Sequence, residues 1–258
     1  MRRTGRPTTA GNETAVGPAG ASCRVEADES SAVVRVVGVL EPAGAPAVRD
    51  ALLTRLSERP GPVVADLTDL RVADPATRSV FADVQREVVG WPAAGLLVCD
   101  PGASTDRPDP ALAGVPVLPS LDAALAALAR SPMAAVLSAD LAPVVDSARQ
   151  ARGLVTEGCR RWGMPALAEV GGIVVTELVN NVVAHAGTPM TVRIAPTGDT
   201  LHLAVRDHSP DAPAFAGPAA TTSIGGRGLL LVDALADRWG STPLPDGKLV
   251  WCVVTPTP

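Results

Sequence analysis

The sequence contains few aromatic residues and almost no lysine. Phe, Trp and Tyr together make up 2% of the 258 residues, Tyr is absent, and lysine occurs once, at Lys248. Because hydrophobic residues still make up 47% of the chain, we expect cores of ordinary size built from aliphatic side chains. With a formal net charge of −5 we expect no broad basic surface, which argues against direct binding of nucleic acid.

Metal-ligand spacings and disulfide patterns are also missing. The four cysteines, Cys23, Cys99, Cys159 and Cys252, lie far apart, so we expect four buried, reduced thiols. The N-terminus lacks the apolar core of a secretory signal, and no stretch reaches the ~18 apolar residues of a membrane helix. We therefore expect a cytoplasmic protein without a membrane span. Residues 1–22, rich in Gly, Pro, Thr and Ala, are predicted to be a disordered tail.

Residues 23–130 alternate short β-rich runs with helical stretches. Strands are predicted over 33–40, 61–67, 94–99 and 115–118, and helices over 46–58, 75–89 and 120–130. Asp74 and Ser120 are placed to cap the second and third of these helices. The alternating order predicts a small α/β domain.

The pattern changes after residues 131–140, which we interpret as a linker. Helices are predicted over 141–163 and 165–187, strands over 190–196 and 200–207, a loop over roughly 210–224, a helix after Gly228, and a terminal hairpin. Two helices followed by antiparallel strands predict that 141–258 form an α+β domain, with a sheet that carries its helices on one face.

A polar stripe runs along the second helix of this C-terminal part. Residues four apart in an α-helix lie nearly above one another, so Glu177, Asn181 and His185 share one face. A carboxylate one turn from a carboxamide can hold Mg²⁺ through oxygen and can accept a proton. The alternative is the polar edge of a core helix that contacts solvent.

Two further clusters follow in the chain. Asp207 ends an apolar strand, where it either forms a turn or accepts a hydrogen bond from an exocyclic amine such as that of adenine. Gly225, Gly226, Arg227 and Gly228 then lead into an apolar helix. Glycine backbone N–H groups, a helix N-terminus and an arginine together suit a phosphate, although a flexible loop is the alternative. The pattern is neither a Walker A loop nor a GxGxxG motif after a strand.

The order of these clusters resembles a known family. ELVNNVVAHA (177–186) resembles the N box, VRDHSP (205–210) the G1 box, GGRGLLLVDALADRWG (225–240) the G2 box, and GKLVWCVV (247–254) the closing strand. These four blocks belong to the ATP-binding fold shared by gyrase, Hsp90, histidine kinases and MutL. Residues 141–255 are most similar to the bacterial anti-sigma factor serine/threonine kinases.

This resemblance implies a two-layer α+β sandwich of the histidine kinase-like ATPase type that binds ATP with Mg²⁺. It implies that Asn181 ligates Mg²⁺, that Glu177 is the general base for the attacking hydroxyl, and that His185 lies near the phosphates. Asp207 would bind the adenine amine. One position departs from the family, because Ser209 stands where the G1 box has a glycine.

The same resemblance assigns the glycine-rich turn. Gly226, Arg227 and Gly228 would cradle the phosphates beneath a lid formed by roughly 211–224.

The first half is similar to a STAS domain, the fold of anti-anti-sigma factors. The segments 33–56 and 63–81 resemble its opening strand and helix and its VVLDLSxVxFxDSSGLxxL segment. The family carries its phosphoacceptor in a D-S-[ST]-G motif. This chain has Asp74-Pro75-Ala76-Thr77 there, so neither family hydroxyl is present.

These resemblances imply a cytoplasmic regulator of bacterial partner switching. The C-terminal domain would phosphorylate a serine on a separate STAS anti-anti-sigma protein, bind a sigma factor as an anti-sigma factor, or do both, and it could form a homodimer. The alternative is a nucleotide-binding protein that sequesters a partner without kinase activity. A sensor histidine kinase is disfavoured because 141–163 contain no histidine. A gyrase- or Hsp90-type ATPase is disfavoured because we expect no transducer domain after the nucleotide fold.

Overall fold

A computed structural model describes residues 23–27, 31–104, 107–130, 136–211 and 227–256. The predicted tail (1–22), nearly all of the predicted lid, and Gly226 lie outside the described residues.

The N-terminal half is an α/β unit built on one mixed sheet. Its elements are β1 (Cys23–Ala27), β2 (Val33–Leu40), α1 (Ala45–Glu58), β3 (Val63–Asp66), β4 (Leu70–Val72), α2 (Ser79–Val88), β5 (Leu96–Cys99), β6 (Val117–Leu118) and α3 (Leu121–Arg130). The strand order is β1-β2-β3-β5-β6, and β4 also pairs with β2. All pairs are parallel except β1 with β2. The predicted α/β class of this half therefore agrees with the structure.

Both faces of the two central strands are covered. All four residues of β3 and all four of β5 are buried. One face packs in a cluster with α1 and α2, while Val64, Leu97 and Cys99 pack with Ala124 of α3 on the other face. Strands buried on both faces are expected to be continuous apolar runs, and these are.

The predicted helix caps are present. The Asp74 carboxylate accepts a hydrogen bond from the backbone N–H of Ala76 at 3.0 Å, and the Ser120 hydroxyl accepts one from Ala123 at 3.2 Å. Both bonds satisfy N–H groups that a helix start would otherwise leave unpaired.

The C-terminal half is a five-stranded antiparallel sheet with three helices on one face. Its elements are β7 (Leu137–Leu141), α4 (Ser147–Trp162), α5 (Ala168–Asn181), β8 (Met190–Thr197), β9 (Thr200–Asp207), α6 (Arg227–Leu235), β10 (Arg238–Leu244) and β11 (Gly247–Val254). The strand order is β10-β11-β9-β8-β7. The predicted α+β architecture of this half, with helices on one face of the sheet, agrees with the structure.

Several predicted boundaries were wrong. The predicted linker over 131–140 contains most of β7, which pairs with β8 along the sheet edge. Strands β1 and β4 were not predicted, and α4 begins at Ser147 rather than 141. These strands are short, and β7 alternates half-buried and exposed residues, so their own sequence carries a weak pattern and their pairing partners stabilise them.

The apolar segment Pro165–Ala186 also corrects an expectation. By length and composition alone it could cross a membrane, so our prediction that no segment is long and apolar enough was wrong. In the structure it is the central helix of the C-terminal half. Val174, Val175, Leu178 and Val179 are buried in the core between this helix and the sheet. A core helix of this kind passes the same test of length and composition.

All four cysteines are buried and free, as predicted. Burial raises the pKa of each thiol above its ordinary value, so these groups are protonated at neutral pH.

The second face of the C-terminal sheet packs against the N-terminal half. Ala204 and Leu249 belong to the same buried cluster as α1 and α2, and Trp251 packs against it. The guanidinium of Arg193 donates to the carbonyl oxygens of Leu56 and Glu58 at the C-terminal end of α1. Burial lowers the pKa of Arg193 to about 10, so it stays charged at neutral pH. The sheet is therefore covered on both faces.

Gly90 packs closely against the indole ring of Trp251 from the other half. A β-carbon added at Gly90 would lie 2.2 Å from the indole ring of Trp251. We expect Gly90→Ala to displace the ring and to lower the free energy of unfolding by about 1–3 kcal/mol, the usual cost of overpacking. Urea denaturation would measure this. The control is Gly95→Ala, where the nearest atom to an added β-carbon is 3.6 Å away. An equal effect of the two changes would contradict this packing.

His202 is a buried titratable side chain at the interface between the two halves. Its Nδ1 lies 3.1 Å from the Gly90 carbonyl oxygen, and because that oxygen accepts, Nδ1 carries the hydrogen. Burial lowers the pKa of His202 below its ordinary 6.5, with a smaller contribution from the charge of Arg238. The unfolded chain then binds a proton more readily than the folded one. The contribution of His202 to stability is therefore full above pH 6.5 and is lost as pH falls toward the depressed folded value.

We expect His202→Asn, which keeps a side-chain donor but cannot titrate, to flatten the decline in stability between about pH 8 and pH 5. Urea midpoints across that range would measure it. Identical profiles for His202→Asn and the unchanged protein would overturn the assignment.

Candidate functional site

A cavity of about 160 Å³ lies on the helical face of the C-terminal sheet. Its walls come from α5, the turn that follows α5, β9, β11 and α6. The apolar lining residues are Leu178, Val182, Ala186, Val205, Leu229 and Val250, and the polar ones are Asn181, His185, Asp207, Ser209, Asp211 and Lys248. An apolar cavity with a few polar groups is the usual form of a small-molecule site.

The polar end of the cavity holds a buried ion pair. Asp207 and Lys248 face each other across the β9–β11 pairing, and their side chains are 1% and 11% exposed. The ammonium of Lys248 lies 3.0 Å from Oδ1 of Asp207 and donates at 3.4 Å to the carbonyl oxygen of Ser209. Oδ1 also accepts the backbone N–H of Ser209 at 2.9 Å. These bonds hold the Asp207 carboxylate in one orientation.

Ser209 fits its position without strain. Among the described residues other than glycine, only Ala93 has a positive φ, so the backbone at residue 209 has no need of glycine. Ser209 is buried, and its hydroxyl lies 3.4 Å from the carboxylate of Asp211. The departure from the family pattern at this residue therefore leaves the geometry around Asp207 intact.

Of the three residues in the predicted polar stripe on α5, only two line the cavity. The helix changes at Asn181 into one turn of π-helix over Val182–Ala186, closed by a hydrogen bond from the Gly187 N–H to the Val182 carbonyl oxygen. Asn181 and His185 line the cavity, whereas Glu177 is half-buried and is not among the lining residues. The wider π turn moves His185 off the α-helical stripe that was predicted.

The glycine-rich turn is only partly described. Arg227 is the first residue of α6 and Gly228 the second, so the helix begins slightly before its predicted start after Gly228. Leu229, in the first turn of α6, lines the cavity. The N-terminus of this helix thus lies at the cavity, where its backbone N–H groups can receive an anion.

Lys248 was missed from the sequence. The sequence did offer one indication, because Lys248 is the single lysine of the chain and directly follows Gly247 in the terminal strand. Nothing in its neighbours indicated that it pairs with Asp207, because the two residues are 41 positions apart.

The donor set fits a nucleotide with a divalent cation. Asn181 offers an amide oxygen of the kind that Mg²⁺ prefers. The Asp207 carboxylate offers an acceptor for an amine, and the apolar walls can cover a flat ring. No group of three or more His, Cys, Asp or Glu residues lies close enough to hold a metal by itself within the described ranges. A cation here would need oxygen atoms from its ligand as well.

The Asp207–Lys248 ion pair also predicts how substitutions at these two residues change the free energy of unfolding. Lys248→Met or Asp207→Asn alone leaves one buried charge without its partner, which typically costs about 3–5 kcal/mol. The double variant is electrically neutral and should cost much less than the sum of the two single changes. Urea denaturation of the four proteins would measure this coupling. Additive costs would contradict the pairing.

Three comparisons with known proteins gave matches for this chain. Residues 141–253 match the profile of the histidine kinase-like ATPase domain. Uncharacterized protein SCO4941 of Streptomyces coelicolor is 43% identical over 82 residues, which cover 30% of this chain and 77% of that protein. The chain shares a family with that protein.

Among solved structures, the histidine kinase domain of the Erythrobacter litoralis EL346 blue-light activated histidine kinase is 16% identical with a TM-score of 0.30. The match covers 42% of this chain and 60% of that domain. Domains of the histidine kinase-like ATPase class bind ATP, typically with Mg²⁺. Residues 141–253 of this chain are a histidine kinase-like ATPase domain.

Proposed function

We propose that this chain is an ATP-binding regulatory protein of a bacterial partner-switching system, and that its C-terminal domain is a serine/threonine kinase. The observation that supports this is the cavity in the histidine kinase-like ATPase domain, which is lined by Asn181, His185 and Asp207 together. These three residues come from two separate segments of the sequence, and all three were assigned to nucleotide binding by their motifs.

In this proposal Asp207 would accept a hydrogen bond from the amine of adenine, and Asn181 would hold Mg²⁺ through its amide oxygen. Bound Mg²⁺ supplies positive charge to the phosphate oxygens. His185 and the N-terminus of α6 would lie toward the phosphates, and the motif assigns Gly226, Arg227 and Gly228 to phosphate binding as well. Glu177 takes the proton of the attacking serine hydroxyl as the bond to the transferred phosphorus forms and the bond to ADP breaks.

The proposed substrate is a serine of a separate STAS anti-anti-sigma protein, and a sigma factor is a further proposed partner. The N-terminal half would be a STAS-like docking module. Where that family has its phosphoacceptor, this chain has Pro75 and Ala76, neither of which carries a hydroxyl, and the Asp74 carboxylate accepts the backbone N–H of Ala76. Such a module would hold a partner without being phosphorylated itself. We place this activity in the cytoplasm, without membrane or direct nucleic-acid contact, and a homodimer is compatible with it.

One observation favours a second candidate function. Glu177 is not among the residues that line the cavity. A protein that binds nucleotide and sequesters a partner without transferring phosphate would not require Glu177 at the phosphates.

The test has two steps, binding and transfer. We expect the unchanged protein to bind ATP with Mg²⁺ by calorimetry, and Asn181→Ala to bind at least about 10-fold more weakly because a ligand of the cation is lost. Asn181→Ala is preferable to Asp207→Ala, which would strand the ammonium of Lys248. Transfer of phosphate from labelled ATP to a panel of STAS proteins follows. Glu177→Ala should bind ATP normally and lower transfer by about 10²–10⁴-fold.

The matched control is Glu169→Ala, an exposed glutamate in the first turn of the same helix, which should leave both steps unchanged. ATP binding without transfer to any STAS protein would favour the sequestering function. Absence of ATP binding would overturn both functions.

A further inference from the structure

The only lysine of the chain is placed where a nucleotide base would be recognised. Lys248 is 8% exposed, lines the cavity, and lies beside Asp207, the residue proposed to accept the base amine. Burying an ammonium is costly, and a neutral pair of similar size would serve packing at least as well. This makes a role at the cavity the better explanation for a cation here.

Among the described residues, the pair leaves one carboxylate oxygen and one ammonium hydrogen without a partner. Oδ1 of Asp207 accepts from Lys248 and from the backbone of Ser209, while Oδ2 makes no hydrogen bond to any described residue. An ammonium has three donors. Two of those of Lys248 are directed at Asp207 and Ser209, and no acceptor in the described part of the chain takes the third. The cavity therefore presents a fixed carboxylate oxygen beside a fixed ammonium.

Adenine matches this pattern. Its pairing edge carries one amine donor, on N6, next to one ring acceptor, N1. Guanine presents O6 as acceptor and N1 and N2 as donors, so its ring nitrogen N1 donates where that of adenine accepts. Its second donor, on N2, would find no free carboxylate oxygen, because Oδ1 is already bound. The unpaired N2 donor thus disfavours guanine in this cavity.

We propose that Lys248 is a base-reading residue, which donates a charge-assisted hydrogen bond to N1 of adenine while Asp207 accepts from N6. This inference rests on the proposed nucleotide binding and adds to it a direct protein contact to the base. Lys248 has two effects in this arrangement. It orients the carboxylate through Oδ1, and it supplies the donor that selects a ring acceptor.

The single lysine permits a direct experiment on the full chain. Labelling lysine with ¹⁵N at Nζ gives one side-chain signal. We expect ATP to shift this ammonium signal and to slow the exchange of its protons with water. The probe for the contact is 1-deaza-ATP, in which a CH group replaces N1. It should bind about 10-fold or more weakly than ATP, as expected for loss of a hydrogen bond to a charged group, and should shift the signal less.

The variant Lys248→Met should bind ATP and 1-deaza-ATP within about 3-fold of each other, since the donor is gone. If that variant does not fold, Asp207→Asn combined with Lys248→Met keeps the site neutral and should show the same loss of discrimination. If a folded variant without Lys248 still binds ATP about 10-fold more tightly than 1-deaza-ATP, the proposal is overturned.

Two results separate this inference from the proposed function. If the unchanged protein binds ATP and 1-deaza-ATP equally, with the ammonium signal unaltered, Lys248 does not read the base, while nucleotide binding stands. If it binds neither nucleotide, the proposed function and this inference are both overturned.

Discussion

Burial of the C-terminal sheet on both faces is the constraint on which the rest of the structure depends. Alternate residues of a strand point to opposite faces, so β9 and β11 each contribute to two cores. Leu203, Val205 and Val250 pack beneath the helices, whereas Ala204 and Leu249 pack in the cluster of the N-terminal half. A shift of one residue in the pairing would exchange these sets, so the two cores together determine the register.

That register places the ion pair at the cavity. Asp207 and Lys248 are directly opposite in the β9–β11 pairing, at the end of the sheet where the cavity opens. On the reverse face of the same two strands, His202 and Trp251 contact the loop around Gly90 of the N-terminal half. Because close-packed interiors transmit strain, the N-terminal half supports the site from behind, although none of its described residues lines the cavity.

The helices and strands that were predicted most accurately are those whose own sequence has the strongest hydrophobic pattern. The strand β2 and the helix α1 match their predicted ranges to within a residue, since β2 is a valine-rich run and α1 has apolar residues at helical spacing. The edge strand β7 was taken for a linker because a short, half-exposed strand is stabilised by its neighbour. The membrane expectation failed over Pro165–Ala186 because hydropathy measures composition, and burial in a core produces the same composition.

The sequence by itself determined the two architectures and the residue types of the site, because apolar periods and the ordered motifs around Asn181 and Asp207 are local properties. Only the tertiary structure decided which residues meet. It left Glu177 off the cavity wall, moved His185 through a π turn, and joined Lys248 to Asp207 across 41 residues. It also packed the two halves together. These outcomes depend on contacts between distant segments, whose energy comes from shared burial and charge pairing rather than from any local pattern.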